Sequence, residues 1–194
     1  MTRTSSLLAV SATLFVGLVA SSAQVQTYRT FVSTTGSDSN ACSITEPCRH
    51  FQTAIDVTPA GGEVDALDPG GYSAVTISQA ITIEGQGWSY IAPPAGGNAI
   101  TITASSGNVT IRGVSLNGVG ITGTTNGISF TGAGTLNVQN SVIRNFTNNG
   151  INFFPSAASQ VYVSDTLLAD NETYGVLVDG DTKVTGSLDH VGER

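Results

Sequence analysis

Charge is scarce in this chain. Asp, Glu, Lys and Arg make up 11% of its 194 residues, with fourteen acids, seven bases and one lysine, Lys183. Nucleic-acid binders clamp phosphates with clustered Lys and Arg, so a nucleic-acid partner is excluded. Long apolar runs are missing after the first twenty residues, and a span needs about 20 apolar residues, so stable membrane insertion is not expected. Cysteine is nearly absent. Cys42 and Cys48 with His50 nearby are too thin a set for a metal centre. Crossover helices are missing too. Parallel strands usually need them, yet no segment between the apolar phrases is long or periodic enough.

What is present is a repeat. Ile81-Thr82-Ile83-Glu84-Gly85 returns as Val109-Thr110-Ile111-Arg112-Gly113, then as Leu136-Asn137-Val138-Gln139-Asn140 and Val161-Tyr162-Val163-Ser164-Asp165, with a last copy from Val184. A second phrase alternates with it: Ala99-Ile100-Thr101-Ile102, Gly127-Ile128-Ser129-Phe130, Gly150-Ile151-Asn152-Phe153 and Gly175-Val176-Leu177-Val178. Both recur after roughly 23 to 28 residues, within the range of solenoids. Apolar and polar residues alternate within each phrase, the pattern of a half-buried strand. One short strand cannot bury its apolar row alone, whereas stacked copies can. Ile83, Ile111, Val138 and Val163 should form one interior column, and Ile102, Phe130, Phe153 and Val178 another. A sandwich would not explain two phrases in fixed order, and a propeller needs longer repeats. The expected fold is therefore all-β: a right-handed parallel β-helix of about five coils over residues 63–194. The last copy stops in mid-coil, which leaves two alternatives, truncation or end-to-end association with a second copy.

The N-terminus reads as an export signal over residues 1–23. Arg3 precedes the apolar run Leu7 to Ala20, and Ser21-Ser22-Ala23 offers small residues for cleavage after Ala23. A secreted or periplasmic location follows, and there Cys42 and Cys48 are expected to form a disulfide. Residues 24–62 read as a cap. Between Thr45 and Val57 the period becomes helical, with Thr45 as N-cap, Pro47 in the first turn and Phe51, Ala54 and Ile55 on one face. Such a helix would cover the open apolar end of the stack.

Two stretches carry a resemblance. Phe31-Val32-Ser33-Thr34-Thr35-Gly36-Ser37-Asp38-Ser39-Asn40, followed by Pro47-Cys48-Arg49-His50-Phe51-Gln52-Thr53-Ala54-Ile55, resembles the entry segment of secreted right-handed β-helix proteins of the pectin-lyase-like superfamily. The resemblance implies the fold and the capping helix. Its activities range from lyases and hydrolases to adhesins, so it does not select one.

Lyases of that superfamily use a base with carboxylate-held Ca²⁺, and hydrolases use paired carboxylates. The outward row Glu84, Arg112, Gln139, Ser164 holds one acid and one base, which read as an exposed ion pair. Asp165, Asp170, Asp179 and Asp181 are the densest acidic group; Asp179-Gly180-Asp181 reads as a turn, with Ca²⁺ binding there as an alternative that no calcium-loop pattern supports. No catalytic residue and no cofactor is assigned. The leading reading is a non-catalytic surface or extracellular module that binds polysaccharide or serves a structural role, with a polysaccharide lyase or glycoside hydrolase as alternative. Arg112, Gln139, Arg144 and Tyr162 are the candidate binding residues. Trp88 and Tyr90 either join a sugar-binding surface or pack under the loop 91–97.

Overall fold

A computed structural model describes residues 28–123, 125–179 and 184–193. The expected export signal and its cleavage point at Ala23 lie outside these residues. The described residues form an all-β parallel solenoid of about four turns with a single short helix. Among the described residues every strand pairing is parallel, and each strand sits beside its equivalent one coil away.

Each regular coil contributes three short strand segments. The first face stacks residues 62–65, 81–84, 109–112, 136–139, 161–164 and 186–189. The second stacks residues 70–71, 89–91, 114–116, then Val142–Arg144, Leu167–Ala169 and Gly192–Glu193. The third is a separate sheet of Val75–Ile77, Ile100–Ile102, Ile128–Phe130, Asn149–Phe153 and Tyr174–Val178. The repeated phrases mark the first and third faces. The second was hidden because its strands are only two or three residues long and follow the first after a single corner.

That corner is set by one backbone conformation. Gly113, Asn140, Asp165 and His190 occupy the same position in successive coils, with φ of 65°, 48°, 48° and 49°. Left-handed backbone suits Gly, Asn and Asp best. At Gly113 a side chain is also excluded by space, since a Cβ would lie 2.8 Å from the Gly87 nitrogen. The long strand Ile81–Ile91 turns the same corner through a register shift between Glu84 and Ser89.

The first expected interior column forms whole, and the second forms except at Val178, which is 46% exposed because its strand is the last of its sheet among the described residues. Ile83, Ile111, Val138 and Val163 pair in sequence and are at most 1% exposed. Ile102, Phe130, Phe153 and Val178 pair likewise, with the Phe130 and Phe153 rings stacked 4.5 Å apart. Burying a side chain of this size stabilises by about 1.5–3 kcal/mol, so stacked columns hold the coils together. Asn98, Asn126 and Asn149 form a short amide ladder at the entry to the third face. Asn126 Nδ2 donates to Asn98 Oδ1 at 2.9 Å, and Asn149 Nδ2 to Asn126 Oδ1 at 3.3 Å.

The cap closes one end. Strand Arg29–Val32 extends the first face by pairing with Gly62–Ala66, and Phe51, Ala54 and Ile55 of the helix are buried over the core. Cys42 and Cys48 are bridged, with Cα atoms 4.6 Å apart. The helix itself corrects the expectation from sequence. It spans Phe51–Val57, with His50 at the N-cap position, so neither Thr45 nor Pro47 belongs to it. The reason is tertiary. Cys48 is held extended in a parallel bridge to Val32, and the two residues just before the helix are tied to Asp38. Asp38 Oδ1 accepts from the backbone nitrogens of Arg49 and His50, each at 3.0 Å.

Candidate functional site

The first face carries three outward rows. The row nearest the first corner runs Asp65, Glu84, Arg112, Gln139, Ser164 and Asp189. The middle row runs Arg29, Glu63, Thr82, Thr110, Asn137, Tyr162 and Ser187. The third runs Asn108, Thr135, Gln160 and Thr185.

At the capped end of this face five charges converge. Arg112 Nε bonds Glu84 Oε2, and its Nη2 lies 3.6 Å from Glu63 Oε2. Arg29 Nε bonds Asp65 Oδ2 and lies 3.2 Å from Glu63 Oε1, while its Nη2 donates to Asp65 Oδ1 at 3.1 Å. The Asp65 side chain is only 3% exposed. Both guanidiniums are held above their usual pKa, Arg29 by its hydrogen bond and charge contact with Asp65, Arg112 by its hydrogen bond to Glu84. The sequence reading saw only the Glu84 and Arg112 pair. Glu63, Asp65 and Arg29 belong to the cap strand and the first coil, where the repeat is not yet recognisable. The alternating pattern of Glu63-Val64-Asp65-Ala66 was the available signal.

Away from the cluster the three rows are uncharged as far as Ser164, Ser187 and Thr185, and Asp189 then ends the first row. Thr135 Oγ1 donates to Gln160 Oε1 at 3.3 Å, and Gln160 Nε2 to Thr185 Oγ1 at 3.3 Å. Asn137 Nδ2 reaches Thr110 Oγ1 at 3.5 Å. A surface cavity of about 430 Å³ lies beside this row, lined by Thr135, Gln160 and Thr185 with Gly134, Ala158 and Ser159. A smaller one of about 290 Å³ opens at the first corner between Glu84, Gln86, Gly87, Arg112, Gly113 and Asn140.

Three of the four candidate binding residues share this face. Arg112 and Gln139 are direct partners in adjacent coils. Tyr162 stands in the neighbouring row one coil further on, 37% exposed. Arg144 does not join them. It lies on the second face between Asn117 and Ala169, exposed and without an ion pair among the described residues. The acidic group also separates. Asp165 sits at the first corner, Asp170 at the second and Asp179 after the third face, while Asp181 lies outside the described residues.

Two further exposed aromatics lie at the second face and the corner before it. Trp88 is 46% exposed and Tyr90 36%, so neither is packed beneath the 91–97 loop. Tyr90, Gly71, Ser73, Ala74, Ala92, Pro93 and Pro94 line a groove of about 510 Å³. In the cap, His50 Nδ1 lies 2.6 Å from Asp38 Oδ2, and Asp38 titrates below its usual range. Burial opposes that shift, and the hydrogen bonds from His50, Thr53 and Arg49 outweigh it. Among the described residues no group of three or more His, Cys, Asp or Glu is placed to hold a metal ion. Within the same residues no helix is long and apolar enough to cross a membrane.

No family model, curated protein or solved structure matches this chain.

Proposed function

We propose that this chain is an exported β-helix that binds polysaccharide on its first outer face without cleaving it, as a cell-surface or extracellular module. One observation carries the reading: hydroxyl and amide side chains recur in register, coil after coil, across three adjacent rows, with the exposed Tyr162 in the middle one. Such a surface offers a hydroxyl-rich polymer repeated donors and acceptors without the cost of stripping water from unpaired charges. Export is supported by the apolar leader over residues 7–20 and by the Cys42 and Cys48 bridge. The right hand of the helix and kinship with the pectin-lyase-like superfamily rest on the entry segment, whose Asp38 and Asn40 bind the backbone near the helix start. Asn40 Nδ2 donates to the Pro47 carbonyl at 2.8 Å.

The converging Glu63, Asp65, Glu84, Arg29 and Arg112 favour a second reading, a polysaccharide lyase or glycoside hydrolase. Acids and a base meet there across adjacent coils. Against it, each carboxylate is already ion-paired and Asp65 is covered, so none is placed to exchange a proton with a bound sugar.

A polysaccharide pull-down on protein expressed from the full sequence, with and without Ca²⁺, separates the two. The same mixtures are assayed for unsaturated products and new reducing ends. Retention without new ends is the expected result. Cleavage that Arg112→Ala abolishes would transfer the site to the charged cluster.

A further inference from the structure

The outward residues of the second face differ in kind from those of the other two. On the third face they are Thr76, Thr101, Ser129 and Asn152, in register, and on the first they are the polar rows described above. On the second face the single outward row runs Tyr90, Ser115, Val142 and Leu167. Tyr90 is 36% exposed and Leu167 37%, with Val142 half-buried beside Leu167. Stacked about 4.8 Å apart, they make an apolar stripe that nothing covers among the described residues. The two margins of the stripe are unlike. At the first-corner margin stand the exposed Trp88 and, three coils on, Asp165, whose side chain is 61% exposed. At the other margin the chain runs from Tyr90 into Ala92, Pro93 and Pro94, which line the groove of about 510 Å³. Arg144 lies on that side too, beside Asn117, exposed and without an ion pair among the described residues. One margin thus carries an aromatic knob and an anion, the other a groove and a cation.

We infer that the second face is a contact between two copies of this chain, related by a two-fold axis that runs along the stripe. A two-fold contact joins one patch to itself, so the patch must be self-complementary. That axis lays each stripe residue against its own copy and exchanges the margins. Trp88 of each copy then faces the partner's groove, at the same coil level. Arg144 faces the partner's Asn140, with the partner's Asp165 one coil, about 4.8 Å, away. An axis across the stripe would instead set Trp88 against the partner's Asp165 and Arg144 against the partner's Asn117, which uses neither the groove nor the unlike charges. Tyr90 is already fixed for such a contact, since its hydroxyl donates to the Asn117 carbonyl at 3.3 Å. Trp, Tyr and Arg are the side chains that most often anchor protein interfaces. Both first faces stay open on opposite sides of the pair, so pairing and polysaccharide binding are independent of each other.

Trp88 is the one tryptophan in the chain, so its emission follows this contact alone. Protein expressed from the full sequence is taken through a concentration series, from about 1 to about 200 µM, by sedimentation velocity and by Trp88 emission. The face is small, so the expected result is a monomer–dimer equilibrium with Kd on the order of 10 µM. Emission should move to shorter wavelength as dimer forms. Trp88→Ala, Leu167→Glu and Arg144→Glu should each weaken the dimer by about tenfold or more, read by sedimentation. Their circular dichroism should match the parent, because all three side chains are exposed. Arg144→Lys, which keeps the charge, should retain most of the pairing. A monomer throughout the series would sink the inference. So would a dimer with unmoved Trp88 emission that Leu188→Lys disrupts and Leu167→Glu does not, since association then belongs to the last coil. A polysaccharide that shifts Trp88 emission while the protein stays monomeric would give the face another occupant and overturn the pairing as well.

Discussion

Asp68 shows how one carboxylate organises the cap. It accepts from the Thr34 nitrogen and hydroxyl at 2.9 and 2.8 Å, from Ser33 Oγ at 2.9 Å and from the Tyr72 hydroxyl. Burial pushes its pKa up, but these donors outweigh that and hold it at about 2. Tyr72 is correspondingly raised above the usual phenol range by burial and by Asp68. A carboxylate depressed in the folded state stabilises fully above its unfolded value of 3.8, and that contribution is lost as pH falls toward about 2. Thermal melts should therefore lose stability across that window in the parent protein. Asp68→Asn should start lower at neutral pH and show a flatter acid limb. Equal acid limbs would mean that another group governs the cap. Asp65 plays a similar part on the first face, where Arg29 seals it. Neither role could be read from local sequence, because apart from Tyr72, four residues from Asp68, the partners lie more than thirty residues away.

At the scale of the element, each strand is too short to persist alone and is held by its neighbours above and below. The third face makes the point with two adjacent phenylalanines. Phe153 points inward, fully buried against Phe130, while Phe154 is 51% exposed. Phe153→Ala should cost about 3–5 kcal/mol, and Phe154→Ala less than about 0.5 kcal/mol. Urea unfolding of the two variants checks this, and equal losses would contradict the assigned register. A one-residue slip would exchange the two side chains. The alternation of Ile151, Asn152 and Phe153 made that register legible from sequence. Helix Phe51–Val57 was less legible. Its apolar face is written at helical spacing, but its start depends on where Asp38 and the Val32 to Cys48 bridge stop the extended chain.

At the scale of the whole molecule, fourteen acids against seven bases set a repulsive field for polyanions. The arginines on the first face cannot relieve it, since Arg29 and Arg112 are each bound to two carboxylates. Retention on a neutral polysaccharide should therefore change little with added salt. A polyuronate should fail to bind at low ionic strength, where repulsion is least screened. Affinity electrophoresis in gels of each polymer, across a salt series, tests both statements. Strong uronate binding at low salt would show that a cationic patch dominates the surface.

Sequence alone determined the stack. A repeat of roughly 23 to 28 residues and strict alternation leave few ways to bury the apolar rows, so the interior columns could be named from sequence, all but Val178, which the structure leaves 46% exposed. Composition likewise bounded the partners, because charge that is absent cannot be created by folding. Tertiary structure decided the rest. It supplied the second face, whose strands are too short to leave a pattern. Arg29, Glu63 and Asp65 were brought to Glu84 and Arg112, Arg144 was moved off the face that holds Arg112, Gln139 and Tyr162, and Trp88 and Tyr90 were left exposed, Tyr90 lining a groove. Period specifies which residues point inward. Which outward residues meet depends on how many residues each corner consumes, and only the folded coil sets that number.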